Sequence, residues 1–443
     1  MSKAARGQPR ALTARFGSLD VWSVAAQFVP EWGWPSSALR PLHEALVRRR
    51  DAASDTLAPS TEVTMLTIRL DGSVEPRPPV RLKDVKGRLF RAYPGDVVFS
   101  KIDVRNGAVG LAPVGVKPIC VTSEFPVYAV KECVAVPEYV QLLFRTATFR
   151  RILNSMISGA SGRKRIQPTQ LEKVRVPIPS TPVQRHIASL WLDANRQLAA
   201  AEADFVELVA ELDGYLRERT RDFESSTQAR TFVARFKDTR QWDLKGGRAA
   251  AFIAANTDFV RLGDCSEECT HPVRPWKKPD KSWPVYGVNN RDGVFLSATK
   301  EGKHFKAPYK RIEKNWFFHN PTRANVGSLG IVDDVPHDAI TSPEYEVWRL
   351  TGGFLTGFMA LLLWTDYFLA LVSINRVGAV KQRMYYRNLA EIRLPNVPMS
   401  MQQSFADRRA RMLREINTSR RMVSERTTEV EEMIIGSRSP ELH

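Results

Sequence analysis

Arg165 to Gln184 reads RIQPTQLEKVRVPIPSTPVQ, and Arg383 to Gln402 reads RMYYRNLAEIRLPNVPMSMQ. Arg165, Leu171, Pro177 and Gln184 fall over Arg383, Leu389, Pro395 and Gln402, each pair at the same offset (383 − 165 = 218). A constant offset across such a stretch means one pattern written twice, and a duplication sets the architecture before any local reading is made. Working outward, VVFSKIDVRNGAVGL (Val97 to Leu111) lies over NWFFHNPTRANVGSLGI (Asn315 to Ile331), with Phe99 over Phe317 and Arg105 over Arg323. Val121-Thr122-Ser123 lies over Ile340-Thr341-Ser342, and Arg15-Phe16 and Trp22 recur as Arg235-Phe236 and Trp242.

The repeat also decides the most apolar segment. FLTGFMALLLWTDYFLALVSI (Phe354 to Ile374) is long enough to cross a bilayer, with Asp366 its only charge. FRTATFRRIL (Phe144 to Leu153) falls over LWTDYFLALV (Leu363 to Val372), pairing Thr146 with Thr365 and Phe149 with Phe368. The first copy carries Arg145, Arg150 and Arg151 in that element. A position that accepts three arginines belongs to a domain helix packed on protein, so no membrane span is expected.

At 443 residues the chain exceeds one typical domain, and 43% hydrophobic with 26% charged residues describes globular protein. Lys+Arg 65 against Asp+Glu 48 leaves +17, with a pI of about 9.9. That surplus points to a polyanionic partner, most often nucleic acid. Cys120, Cys133, Cys265 and Cys269 make no disulfide framework in a chain this long, and MSKAARGQPRALTARF has no apolar signal core. A cytoplasmic protein is expected.

In each copy short β-type runs punctuated by Pro and Gly come first, and a long helical pattern follows. Ile187, Leu190, Ala194, Leu198, Ala201, Phe205, Leu208, Leu212 and Tyr215 step by three and four, as do Phe405, Met412, Ile416, Val423, Val430 and Met433. These are heptad seams, the second diluted by Arg409, Ser419 and Arg426. The expected fold is α/β (α+β), with similar domains over 1–180 and 226–398, helical spacers over 181–225 and 399–436, and a tail over 437–443. Glu202, Asp204, Glu207, Glu211 and Asp213 face a chain segment, Arg408 to Arg421, that is rich in arginine. Antiparallel pairing matches these blocks, setting Glu207 beside Arg414, and gives a pseudo-two-fold rod roughly 60 Å long at 1.5 Å per residue. Two related but divergent heads on such a rod suit a bipartite, asymmetric DNA site.

This order of domains resembles the specificity subunit of Type I restriction-modification enzymes, over nearly the whole chain. The resemblance implies two target-recognition domains separated by an antiparallel two-helix coiled coil. It implies a non-catalytic subunit of a phage-defence complex that binds a split site on double-stranded DNA. Two adenine-N6 methyltransferase subunits would dock against the helices that carry Ile187, Leu190, Leu198, Phe205, Leu212, Phe405, Met412, Ile416 and Val423. No cofactor is expected on this chain. S-adenosylmethionine would belong to the methyltransferase, and a restriction-translocase subunit is a further partner in the family. The related alternative is the recognition subunit of another methylation-linked defence system.

Candidate DNA contacts follow from residue type. Arg163, Lys164 and Arg165 close a Gly-rich loop, and Lys381 with Arg383 marks the equivalent place after Gly378, as expected for phosphate contacts. Lys101, Arg105 and Asn106, with His319, Asn320, Thr322, Arg323 and Asn325, populate a shared strand-loop, where Arg suits guanine and Asn suits adenine. Arg274, Trp276, Lys277, Lys278, Lys281 and Trp283 mix cations with aromatic rings. Enzymatic motifs are weak. There is no Gly-rich loop ending in Gly-Lys-Ser/Thr, and Asn320-Pro321-Thr322 is a poor match to an amino-methyltransferase signature. Asp280, Glu301 and Lys303 match the loose spacing of a metal-dependent nuclease in one copy only, and Cys265, Cys269 and His271 lack a fourth ligand, so no metal is expected.

Overall fold

The computed structural model describes residues 32–440, apart from 71, 116, 156–164, 229–230, 236, 238, 240–242 and 379–380. Arg15, Phe16, Trp22, Arg163, Lys164, Phe236 and Trp242 therefore lie outside the described residues. The chain divides into two units, residues 1–197 with 419–443 and residues 198–418.

The first unit carries a four-stranded antiparallel sheet of β1 (Leu46–Arg49), β2 (Val97–Phe99), β3 (Val109–Leu111) and β4 (Val127–Val130), ordered β1-β4-β2-β3. The second unit repeats it with β5 (Ser266–Glu268), β6 (Phe317–His319), β7 (Leu329–Ile331) and β8 (Glu346–Leu350), ordered β5-β8-β6-β7. A second, mixed sheet recurs as well, with one parallel pairing in each unit: Met65 opposite Cys120, and Val285 opposite Ile340. The duplication inferred from sequence is thus a duplication of strand order.

Register corrects the sequence overlay. Phe99 pairs with Val109 and His319 with Leu329, so the offset here is 220, and Phe99 matches His319 rather than Phe317. Gly107 and Gly327, with φ of 104° and 87°, close equivalent 3-10 turns at Val104–Asn106 and Ala324–Val326, a left-handed position that favours glycine. Arg105 is therefore matched by Asn325, and Arg323 by Asp103. Thr122 and Ser342 accept equivalent turn bonds from Phe125 and Tyr345, which moves that triplet by one residue. The ungapped overlay followed similar side chains instead of backbone pairing, and a strand admits no slip of that kind.

The segment at 354–374 forms two helices, Thr356–Leu362 and Asp366–Asn375, bent by 78° at the break. Among the described residues no single helix is long and apolar enough to cross a membrane. Phe358, Met359, Leu361, Leu362, Tyr367, Phe368 and Val372 are completely buried in the second unit's core. At roughly 1.5–3 kcal/mol for each large apolar side chain, they are a main source of its stability. The break is capped by Thr365, whose hydroxyl accepts from the Phe368 amide at 3.1 Å and donates to Leu362 O at 2.7 Å. Thr146 does the same with Phe149 at 3.2 Å and Leu143 at 2.9 Å. The overlay of Thr146 on Thr365 thus marks an N-cap.

Helix α1 spans Thr181–Glu218 and α2 spans Met399–Ile435. The pattern extended α1 to 225, but Thr220 bonds back to Leu216 O at 2.7 Å, Asp222 turns left-handed at φ 52°, and Phe223–Thr227 starts a separate short helix. In the second unit, Arg408 donates two hydrogen bonds to Glu211 at 2.6 and 2.5 Å, and Phe405 lies edge-on to Tyr215 with ring centroids 5.9 Å apart. Numbers rise along one helix as they fall along the other, so the pairing is antiparallel. The acidic and arginine-rich blocks do meet, within about a turn of the expected register, though through Arg408 and Glu211 instead of Arg414 and Glu207. In the first unit, Ile187 and Ala188 of α1 share a core with Val430, Met433 and Ile434 of α2. There the Gly33 amide donates to Ile435 O at 2.7 Å, and a Cβ at Gly33 would come within 2.5 Å of Gly436 O.

Each helix begins beside a buried glutamine. Gln184 accepts from the Val136 amide at 2.9 Å and donates to Val134 O at 2.9 Å and Pro179 O at 2.7 Å. Gln402 accepts from the Leu355 amide at 2.8 Å and donates to Gly353 O at 3.2 Å and Val397 O at 3.0 Å. Gln184→Ala or Gln402→Ala leaves three backbone groups without these partners. Each variant is expected to lose more than about 2 kcal/mol in urea unfolding of the unit concerned, and a loss below about 0.5 kcal/mol would contradict this role.

Candidate nucleic-acid interface

The strand-loop candidates sit on the turn between β2 and β3 and on its counterpart between β6 and β7. In the first unit the Lys101 amide donates to Glu124 O at 3.0 Å, and Lys101 O accepts from the Ile166 amide at 3.1 Å. Glu124 also accepts from Arg165 Nε at 3.0 Å. Lys101 and Arg165, far apart in sequence, are thus brought to one place. Asn106 is exposed and reaches Asp103 at 3.4 Å. Arg105 is half-buried, and its Nε is buried without a hydrogen-bond partner.

In the second unit the Met384 amide donates to Pro321 O at 2.8 Å, the counterpart of Ile166 on Lys101. Arg383 therefore occupies the place of Arg165, as the overlay had it. It is exposed, bonds Tyr385 Oη at 3.3 Å, and has its pKa raised chiefly by that bond, with Glu344 adding to it. Lys381 is exposed beside it. Arg376 ties the two loops together, donating to Thr322 O at 3.3 Å and Gln382 O at 2.7 Å. Asn320 closes the turn, its Oδ1 accepting from the Thr322 amide at 3.1 Å and hydroxyl at 2.8 Å. Arg323 is exposed and Asn325 half-buried. An edge of this kind offers guanidinium, ammonium and amide donors to phosphate or to base edges.

His319 does not belong to that edge. It is 1% exposed, its Nε2 donates to Met384 O at 2.8 Å, and burial holds its pKa down to about 4. Lys281 also turns inward, pairing with Asp338 at 2.8 Å and lying 4.2 Å from the centre of the Trp283 ring. Arg274, Trp276, Lys277 and Lys278 remain exposed on a short 3-10 turn. The helix residues named for partner docking are mostly not available to a partner: Ile187, Leu212, Phe405 and Ile416 are at most 5% exposed, and Leu190, Leu198, Phe205, Met412 and Val423 are half-buried. Any docking subunit would have to meet the opposite faces of the helices.

The sequence reading missed the hairpin tips. Asn289 Oδ1 accepts from the Arg291 and Asp292 amides at 2.8 and 2.6 Å, and a Cβ at Gly327 would meet Asn290 Cβ at 3.1 Å. Exposed Asn290 and Arg291 therefore stand beside the 320–327 turn. The signal was the turn sequence NNRDG between two β-type runs.

The nuclease constellation is not assembled. Glu301 pairs with Lys303, Asp280 is exposed, and no group of three or more His, Cys, Asp or Glu side chains among the described residues is placed to hold a metal ion. Cys265 and Cys269 are buried free thiols, each pushed up to about 11 by burial, while His271 is exposed.

No protein-family model and no curated protein matches the chain. Among solved structures it is similar to the Type-I restriction-modification system S subunit from M. genitalium, at 11% identity and a TM-score of 0.47, covering 94% of this chain and 100% of that one. The HsdS subunit from Thermoanaerobacter tengcongensis matches at 14% identity and a TM-score of 0.34, covering 91% and 98%. A chain solved in work on complex assembly and conformational transition of the type I R-M system matches at 14% and 0.39, covering 91% and 98%.

Burial of neutral His319 has a consequence in acid. Its folded pKa of about 4 lies below the unfolded value of 6.5, so the unfolded state binds the extra proton, and stability falls as pH drops from about 6.5 towards 4. His319→Gln removes the titrating group. Relative to that variant, the parent should lose on the order of 3 kcal/mol across this window in thermal or urea unfolding. Parallel pH profiles for the two proteins would refute the assignment.

Proposed function

We propose that this chain is the DNA-specificity subunit of a Type I restriction-modification complex and carries no chemistry of its own. The observation that supports this reading is the duplicated fold itself. Two heads with one strand order present equivalent loops, and each loop holds cations and amides at the same backbone positions with different residues: Arg105 against Asn325, Asp103 against Arg323. Heads built alike but lined differently suit a site whose two halves differ. Recognition is then additive, with roughly 1–3 kcal/mol lost for each mismatched base pair.

The +17 charge supplies the sequence-independent attraction to duplex DNA, which is why binding should weaken steeply with salt. Adenine-N6 methylation falls to a docked methyltransferase that holds S-adenosylmethionine and takes the target base out of the stack. Two methyltransferase subunits, and a restriction-translocase subunit where the complex also cleaves, complete the assembly in the cytoplasm as a phage defence.

The test is the methylation pattern of the host genome. N6-methyladenine should occupy one split motif with unlike halves, and deleting the gene for this chain should abolish it. Modification that persists after deletion, or the absence of any split motif, contradicts the proposal.

A further inference from the structure

Residues that read different sequences must differ between the heads, so exposed residues shared by both heads call for a different task. The register established above places Arg81 to Leu89 over Glu301 to Tyr309 at an offset of 220. Across those nine positions the only identities are Lys83 with Lys303 and Lys86 with Lys306. All four lysines are exposed.

The backbone beneath them is held in the same way twice. In the first head the Leu82 and Lys83 amides donate to Thr61 O at 2.9 Å and Pro59 O at 3.0 Å. In the second the Gly302 and Lys303 amides donate to Lys281 O at 2.9 Å and Pro279 O at 3.0 Å. Between the lysines, Val85 and Phe305 each turn into a small apolar core of their own head. The loop is thus a fixed platform with one apolar anchor and two ammonium groups outside.

The fold gives the lysines no shared structural use. Lys303 pairs with Glu301 at the surface, but Arg81 stands at that position in the first head, so the pairing is not common to both. Exposed pairs of this kind are weak and yield readily to another anion. A lysine ammonium is a compact point charge, suited to phosphate and poorly suited to discriminating one base from another. In the second head Lys277 and Lys278 stand on a neighbouring turn that packs against the loop, adding positive charge there.

We propose that Lys83 with Lys86, and Lys303 with Lys306, form a duplicated phosphate clamp by which each head grips the DNA backbone irrespective of sequence. The inference rests on the DNA-specificity reading and names a contact that reading does not supply. The four-lysine variant (each Lys→Ala) of the full chain is compared with the parent and with a four-Lys→Arg variant. Binding to a random-sequence duplex is measured across a salt series, and sequence preference is read by selection from a pool. Each lost phosphate contact flattens the plot of log affinity against log salt by about 0.9. The alanine variant should therefore give a slope shallower by about 3, the arginine variant should keep the parent slope, and all three should select the same motif. A change in slope below about 2, or an altered motif in the alanine variant, overturns the clamp. A parent chain that binds no duplex overturns the specificity reading, and the clamp with it.

Discussion

The structure depends on a buried amide at the start of each long helix. Gln184 and Gln402 are almost fully enclosed, and each satisfies three backbone groups: an amide and a carbonyl from its own head, and the carbonyl of the residue five positions earlier. A buried backbone group left without a partner costs more than a hydrogen bond contributes, so the head and the first turn of the helix are locked in one orientation. An isolated helix of this length would be free to swing on its linker. Here the strand end, the helix start and the head form one rigid corner, made twice from the same parts.

Around that corner the two heads invest in different side chains. The second buries an unbroken apolar block, while the first reaches the same geometry with arginines at its surface, including Arg145 against the Trp191 ring at 5.3 Å. What both keep is the frame: strand order, the threonine cap at the helix break, the left-handed glycine after the 3-10 turn, the glutamine corner. A frame held constant while the exposed loops diverge is the physical form of a protein that performs one operation on two different targets.

Much of this was legible in the sequence, because the glutamine corner and the threonine cap need particular side chains and leave identities at a fixed offset. The long helices were legible for the same reason, since their seams repeat. The loops were harder to read. Phe99 and Phe317 look equivalent as letters, but pairing of Phe99 with Val109 and of His319 with Leu329 makes the real match, and a two-residue slip changed which arginine stands where. His319 and Lys281 looked like surface chemistry and are turned into the fold, as their neighbours in sequence could not foretell. The helix seams were read as docking faces, yet Ile187 and Phe405 are consumed by the chain's own cores.

The central claim is that one chain carries two independent readers of DNA. Footprinting by hydroxyl radicals, on a duplex that the full chain binds, examines it directly. The account predicts two protected patches separated by an unprotected interval, and exchanging the residues of only one head's 100–107 or 320–327 turn should alter affinity through one patch alone. A single continuous patch, or one that responds to changes in both heads alike, would contradict it.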